Sequence, residues 1–211
     1  VTATLLAFRH GNTFGPGDPV VRLGRNEDLP LVESGLAQAR AAADALAAAG
    51  VRPVRIATSP LLRARTFAGT IAGRLGGPDA EVDGRLNEMD YGRWSGLTDA
   101  VIAERFGAVP LEAWNRSGVW PADAGFGEDE ATVTARCAAF GASVGEGTVI
   151  AVSSAGTLRY LLRALVPAAY EAACRDGRLK FGTGHAARFE RGADGWRCIA
   201  WNVEAGAIFE R

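Results

Sequence analysis

Lysine is nearly missing from this chain. Lys180 is the only one among 23 lysines and arginines, so positive charge is carried almost wholly by guanidinium forks. Such forks matter most where they grip an oxyanion. Cysteine is also scarce. Cys137, Cys174 and Cys198 are scattered, with no C-x-x-C, which argues against a disulfide framework and against structural zinc. They read as buried small apolar residues in a reducing compartment. Net charge is close to zero, at −1, so no global positive field draws the chain to nucleic acid or to an anionic membrane. No apolar run reaches the roughly 18 residues that a membrane-spanning helix needs. The first residues lack a basic region, an apolar run and a small-residue cleavage site, so the expected compartment is the cytoplasm. Repeats, low-complexity tracts and linker-like breaks are absent too. What remains is a chain of 211 residues, 48% apolar and 22% charged, the composition of one large globular domain.

Strands and helices alternate along it. Thr4 to Phe8 is a short continuous apolar run, suited to a strand buried on both faces. Ser34 to Ala49 turns helical, with Leu36, Ala39, Ala43, Leu46 and Ala47 on one stripe and Gly50 as its stop. Pro53 to Thr58 reads as a second strand, running into a helix that Ser59 would cap and Pro60 would open, ending near Leu75. Residues 98–106 predict a short helix, 128–142 a longer one, 148–152 a third buried strand and 156–165 the helix after it. Two strands, 183–190 and 195–202, close the chain around an Ala193-Asp194-Gly195 turn. This order predicts an α/β fold: a three-layer α/β/α sandwich with a mainly parallel central sheet. Residues 1–211 read as a single domain, with a lid-like excursion at about 89–127. Trp94, Trp114 and Trp120 in that excursion read as packing rather than as an aromatic substrate clamp.

In open α/β sheets, ligands sit outside the carboxyl ends of the strands. Three such ends carry polar residues: Arg9, His10 and Gly11; Ser59 and Arg63; and Ser153, Ser154, Ala155 and Gly156 at a helix start. Two arginines and a helix N-terminus beside a histidine describe a site for a phosphoryl-type dianion. On the residues alone, the histidine is either ligand or nucleophile.

Five ordered blocks resemble the histidine phosphatase superfamily, which includes the phosphoglycerate mutases. Arg9-His10-Gly11-Asn12-Thr13 is similar to its R-H-G-E-T block, with Asn12 where glutamate is common. Leu31 to Ala39 resembles P-L-T-x-x-G-x-x-Q-A. Ser59 to Ala64 resembles S-P-L-x-R-A, and Leu86 to Gly96 resembles L-x-E-x-x-x-G-x-W-x-G. Gly127-Glu128 with Arg136 looks like the later G-E-S…R helix. The resemblance implies that His10 attacks phosphorus, that Arg9 and Arg63 bind the phosphoryl oxygens, and that Glu88 protonates the leaving oxygen and then activates water. Asn12 and Thr13 join the site by position. No metal and no cofactor are implied, and the expected partner is a phosphorylated small molecule.

The last block departs from the family. Where V-S-H-G-G is usual, this chain has Val152-Ser153-Ser154-Ala155-Gly156, so Ser154 stands where the second catalytic histidine is expected. Serine still offers a neutral donor toward phosphate, but the charged one is lost, a change on the order of 10²–10³ in rate. Three readings stay open. The first is a phosphomonoester phosphatase, or secondarily a phosphomutase, working through phospho-His10 with reduced activity. The second is a non-catalytic relative that binds a phosphorylated ligand. The third is a serine hydrolase using Ser154, with Asp176 and His185 following in chain order, although Val152 stands where that motif needs its first glycine. His185 otherwise reads as an ordinary strand residue, or as a group folding back to serve in place of the missing histidine.

Overall fold

Strand β1 (Ala3–Arg9) lies parallel to β4 (Gly147–Ser153). Leu5, Ala7, Val149 and Ala151 pack into the apolar layer on one face, and Leu6, Phe8, Ile150 and Val152 into the layer on the other. Burial on both faces is why these segments are continuous apolar runs rather than alternating ones. The computed structural model describes residues 2–210. One six-stranded sheet runs through it in the order β3-β2-β4-β1-β5-β6, with β2 (Pro53–Thr58), β3 (Ala80–Val82), β5 (Ala186–Gly192) and β6 (Gly195–Val203). The first four strands in that order pair in parallel; β5 and β6 are antiparallel additions.

Helices cover both faces, giving the three layers expected. α1 (Glu33–Ala48) and α2 (Leu62–Leu75) bury Ala39, Ala43, Leu46, Phe67 and Ile71 against one face. On the other face lie two helices and the segment between β3 and α5. The segment holds α3 (Asp99–Phe106) and α4 (Ala108–Ser117); the helices are α5 (Glu130–Ala142) and α6 (Ala155–Leu165). α7 (Pro167–Arg175) follows α6, with proline in its first turn. α4, α7 and β3 were not anticipated from the sequence.

Insertion of β4 between β1 and β2 makes three strand ends neighbours. The His10 N–H donates to Ser153 O at 3.0 Å and the Ser59 N–H to Val152 O at 2.9 Å. That second bond corrects one expectation. β2 ends at Thr58, and Pro60 and Leu61 bend the chain after it, so α2 starts only at Leu62. Ser59 Oγ accepts weakly from Leu61 N at 3.4 Å, and the cap comes from a distant residue: Asp28 Oδ1 accepts from Leu62 N at 2.6 Å. Likewise α5 starts at Glu130, capped by Asp129 through Thr132 N. β5 starts at Ala186 rather than 183, because Gly184 turns the chain at φ 73° and its N–H donates to the carbonyls of Arg9 and His10. Of the cysteines, only Cys137 is fully buried; Cys174 and Cys198 are partly exposed. No helix among the described residues is long and apolar enough to cross a membrane.

Candidate active site

His10 is 4% exposed at the end of β1. Its Nδ1 lies 2.8 Å from Gly11 O, and Arg63 Nε donates to its Nε2 at 3.1 Å. A carbonyl only accepts and a guanidinium only donates, so the two contacts define one neutral tautomer: proton on Nδ1, lone pair on Nε2. Burial, then the charges of Arg9 and Arg63, hold the imidazole pKa well below its ordinary 6.5, against the smaller opposing effect of the Gly11 hydrogen bond. The ring is therefore neutral at neutral pH and presents an unprotonated nitrogen.

A depressed histidine pKa also links the site to stability. The unfolded chain takes up a proton below about 6.5 that the folded chain refuses, so the contribution is intact above 6.5 and is lost as pH falls below it. His10→Gln removes this titration. Its melting temperature should therefore fall less than that of the unaltered protein between pH 7.5 and 5, in parallel calorimetric scans. Equal falls would show that His10 is not held neutral.

Backbone proximity locks the His10 loop. A Cβ on Gly11 would overlap Gly35 O, and one on Gly35 would overlap Asn12 O, so the two glycines let β1's exit and the first turn of α1 touch. Gln38 Oε1 accepts from Asn12 N at 2.8 Å and its Nε2 donates to Thr183 O at 3.0 Å. The Asn12 amide is used up in the same lock: Nδ2 donates to Ser34 Oγ at 3.2 Å and Oδ1 accepts from the Thr183 hydroxyl. Alanine at position 35 gains at most about 1 kcal/mol of helix propensity, while forcing apart two backbones costs about 1–3 kcal/mol. Gly35→Ala should therefore destabilise the protein by about 2 kcal/mol in urea unfolding; neutral or positive values would contradict the lock.

Arg63 is 1% exposed, and its fork is not free as the sequence suggested. NH1 donates to Glu27 O and NH2 to Gly24 O, each at 2.7 Å, because the buried carbonyls of that loop need donors. Only the Nε edge faces His10. Arg9 donates NH1 to Phe181 O at 2.5 Å, and its buried Nε has no partner. The α6 N-terminus is likewise already occupied. Gly156 N donates to Glu88 Oε2 at 3.2 Å, while Thr157 N, Met89 N and Thr157 Oγ1 donate to Oε1 at 3.1, 2.8 and 3.3 Å. A carboxylate at the positive end of a helix is favourably placed. Gly156 makes room for it: a Cβ there would stand 2.6 Å from Oε1 and 2.5 Å from the Tyr91 hydroxyl. Ser154 begins α6 without capping it, and its Oγ is buried with no hydrogen-bond partner.

Arg9, His10, Asn12, Thr13, Arg63, Glu88 and Ser154 all line one cleft of about 680 Å³. Its outer wall includes Phe14, Val20, Arg22, Trp114, Asn115 and Arg159. Trp94 and Trp120 pack edge-on against Phe126, as expected, but Trp114 both packs there and faces the cleft. His185 does not fold back into the cleft; its Nδ1 lies 3.0 Å from Asn202 Oδ1. Asp176 pairs with Arg178 at 2.5 Å, so no Ser154-His185-Asp176 triad is assembled. Sequence reasoning missed Tyr91, Thr157 and Arg159. The last two lie within five residues of Ser154 on α6, so helical spacing from the recognised block would have found them.

The cleft thus brings together a neutral, buried histidine at a parallel strand end, two arginines, and a carboxylate on a helix N-terminus. Residues 5–204 match the histidine phosphatase superfamily (branch 1), and the chain belongs to that family. Two 2,3-bisphosphoglycerate-dependent phosphoglycerate mutases are similar in part. That of Methylobacterium sp. (strain 4-46) is 42% identical over 92 residues, covering 43% of this chain and 44% of the mutase. That of Brucella ovis is 35% identical over 119 residues, covering 56% and 57%. The matched stretches thus span about half the length of these mutases. Over nearly full length the chain resembles mycobacterial glucosyl-3-phosphoglycerate phosphatase in complex with inorganic phosphate, at 30% identity and TM-score 0.76, covering 96% of this chain and 98% of that one.

Proposed function

We propose that this protein is a phosphomonoester phosphatase that works through a phosphohistidine on His10, with a phosphorylated small molecule as substrate. The observation that carries the reading is the His10 tautomer, with Nε2 unprotonated 3.1 Å from Arg63 Nε inside the cleft. In the first step Nε2 attacks phosphorus and the P–O bond to the leaving group breaks. Glu88 relays a proton to the departing oxygen. In the second step Glu88 takes a proton from water, whose oxygen attacks phosphorus, and the N–P bond breaks to release orthophosphate. Oε2 is the oxygen for this work, since it accepts only from Gly156 N and the Tyr91 hydroxyl, at 3.2 and 3.5 Å, whereas Oε1 accepts from three donors. Arg9 Nε supplies a preorganised donor to the phosphoryl oxygens, and Arg63 Nε turns its N–H from His10 Nε2 to the phosphoryl group, freeing the lone pair for attack. Residues 1–211 act as one domain, with 89–127 roofing the cleft. A binding-only role is the second reading, favoured by the partnerless Ser154 hydroxyl. Orthophosphate release from a panel of phosphomonoesters, with His10→Ala as blank, separates the two.

A further inference from the structure

Asn202 is the only non-glycine residue among the described ones with a positive φ, 56°. Asparagine tolerates this left-handed conformation better than most residues, but such a departure still calls for a cause. It falls in a bulge of the β5–β6 ladder. Ala186 pairs with Val203 and Arg188 with Ala200, so two steps along β5 face three along β6. A bulge bends its strand and re-aims a side chain.

Here the side chain is aimed at the segment between α7 and β5. Asn202 Oδ1 accepts from Gly182 N at 2.7 Å. The carbonyl of the same peptide unit, Phe181 O, accepts from Arg9 NH1 at 2.5 Å. One peptide plane is thus held at both ends, by a β6 side chain and by the guanidinium that ends β1, and hydrogen bonds in such a chain strengthen one another. Neighbouring rings keep the plane from turning. The Phe181 ring meets Trp201 edge-on at 4.7 Å, and the His185 ring lies against Gly182, where a Cβ would stand 2.9 Å from its Cγ. His185 Nδ1 is 3.0 Å from Asn202 Oδ1 and 3.1 Å from Asn202 O. Both oxygens only accept, so Nδ1 carries the proton and donates to the asparagine.

We infer that Asn202 is a positioning residue for the phosphoryl site. It does not line the cleft, and it acts through the Phe181–Gly182 peptide. That peptide fixes NH1 of Arg9 and leaves the buried, partnerless Nε as the donor to the phosphoryl group. The left-handed backbone at Asn202 is what aims Oδ1 at Gly182 N. The inference rests on the reading of Arg9, His10 and Arg63 as the phosphoryl site.

Glycine separates the acceptor from the backbone, because it adopts this φ without strain. Asn202→Gly should therefore keep its fold and melting temperature, yet bind orthophosphate at least about fivefold more weakly in calorimetry on the full chain. Asn202→Asp keeps an acceptor and tolerates the same φ, so it should recover most of the affinity. Non-additivity is the decisive measurement. Arg9→Met should weaken orthophosphate binding by about tenfold, and adding Asn202→Gly to it should change the affinity by less than about twofold. An undiminished loss in the Arg9→Met background would make Asn202 a general support of the fold, and the inference would fall. It would fall equally if Asn202→Gly bound orthophosphate as the unaltered protein does, or failed to fold. Failure of the unaltered protein to bind orthophosphate, or equal binding by Arg9→Met, would overturn the phosphoryl site along with it.

Discussion

His10→Ala will lower turnover of any phosphomonoester substrate by on the order of 10⁴ or more, and will abolish the covalent intermediate. Residual turnover after loss of a nucleophile reflects only binding and charge stabilisation, which here remain with Arg9 and Arg63. The variant should fold, because Arg63 keeps its bonds to Gly24 O and Glu27 O and the backbone bond from His10 N to Ser153 O does not depend on the side chain. Circular dichroism checks that point. In the unaltered protein, a reaction with labelled phosphomonoester stopped in base should leave label on the chain, and acid should remove it, because the N–P bond of phosphohistidine is acid-labile. Label that survives acid and maps to Ser154 would move the nucleophile to a different residue. Undiminished turnover in His10→Ala would remove the phosphohistidine route altogether.

The readable parts of this molecule are those fixed by local chemistry. β1 and β4 could be placed because strands buried on both faces leave continuous apolar runs, and Arg9-His10-Gly11 could be placed because it ends one of them. The start of α2 was misread because its cap is Asp28, 34 positions away from Leu62. No local pattern records such a partner. α4 and β3 were missed for related reasons: β3 is three residues long and pairs only with β2, and α4 is held by Leu111 and Trp114 packing into the segment's own aromatic cluster. In the site, residue types were legible but their allegiances were not. Arg63 was expected to offer a free fork, and the α6 N-terminus free amides; the first is tied to buried loop carbonyls and the second to Glu88. Those assignments depend on which buried backbone groups lack partners, and that is decided only when distant loops meet.

Ser154→His should raise turnover, by up to about 10²–10³ if a full charged donor to the phosphoryl group is gained. The reasoning starts from the hydroxyl already there. Ser154 Oγ is buried, has no hydrogen-bond partner, and lines the cleft together with Arg9, His10, Arg63 and Glu88. It contributes nothing to the α6 cap, so replacing it costs no helix stability. An imidazole at this position would stand at a helix N-terminus, whose field lowers its proton affinity, while a bound phosphoryl dianion would raise it. The gain should therefore appear with substrate bound, as a higher kcat more than a lower KM, and should be largest at mildly acidic pH where the imidazole is charged. Ala155 also lines the cleft beside it, so the pair Ser154→His with Ala155→Gly is the fuller test of space. No gain in either variant, with orthophosphate still bound in calorimetry, would favour the binding-only role. A large loss of native activity would show that Ser154 itself works in the reaction, and that serine at the head of α6 is a specialisation rather than a deficit.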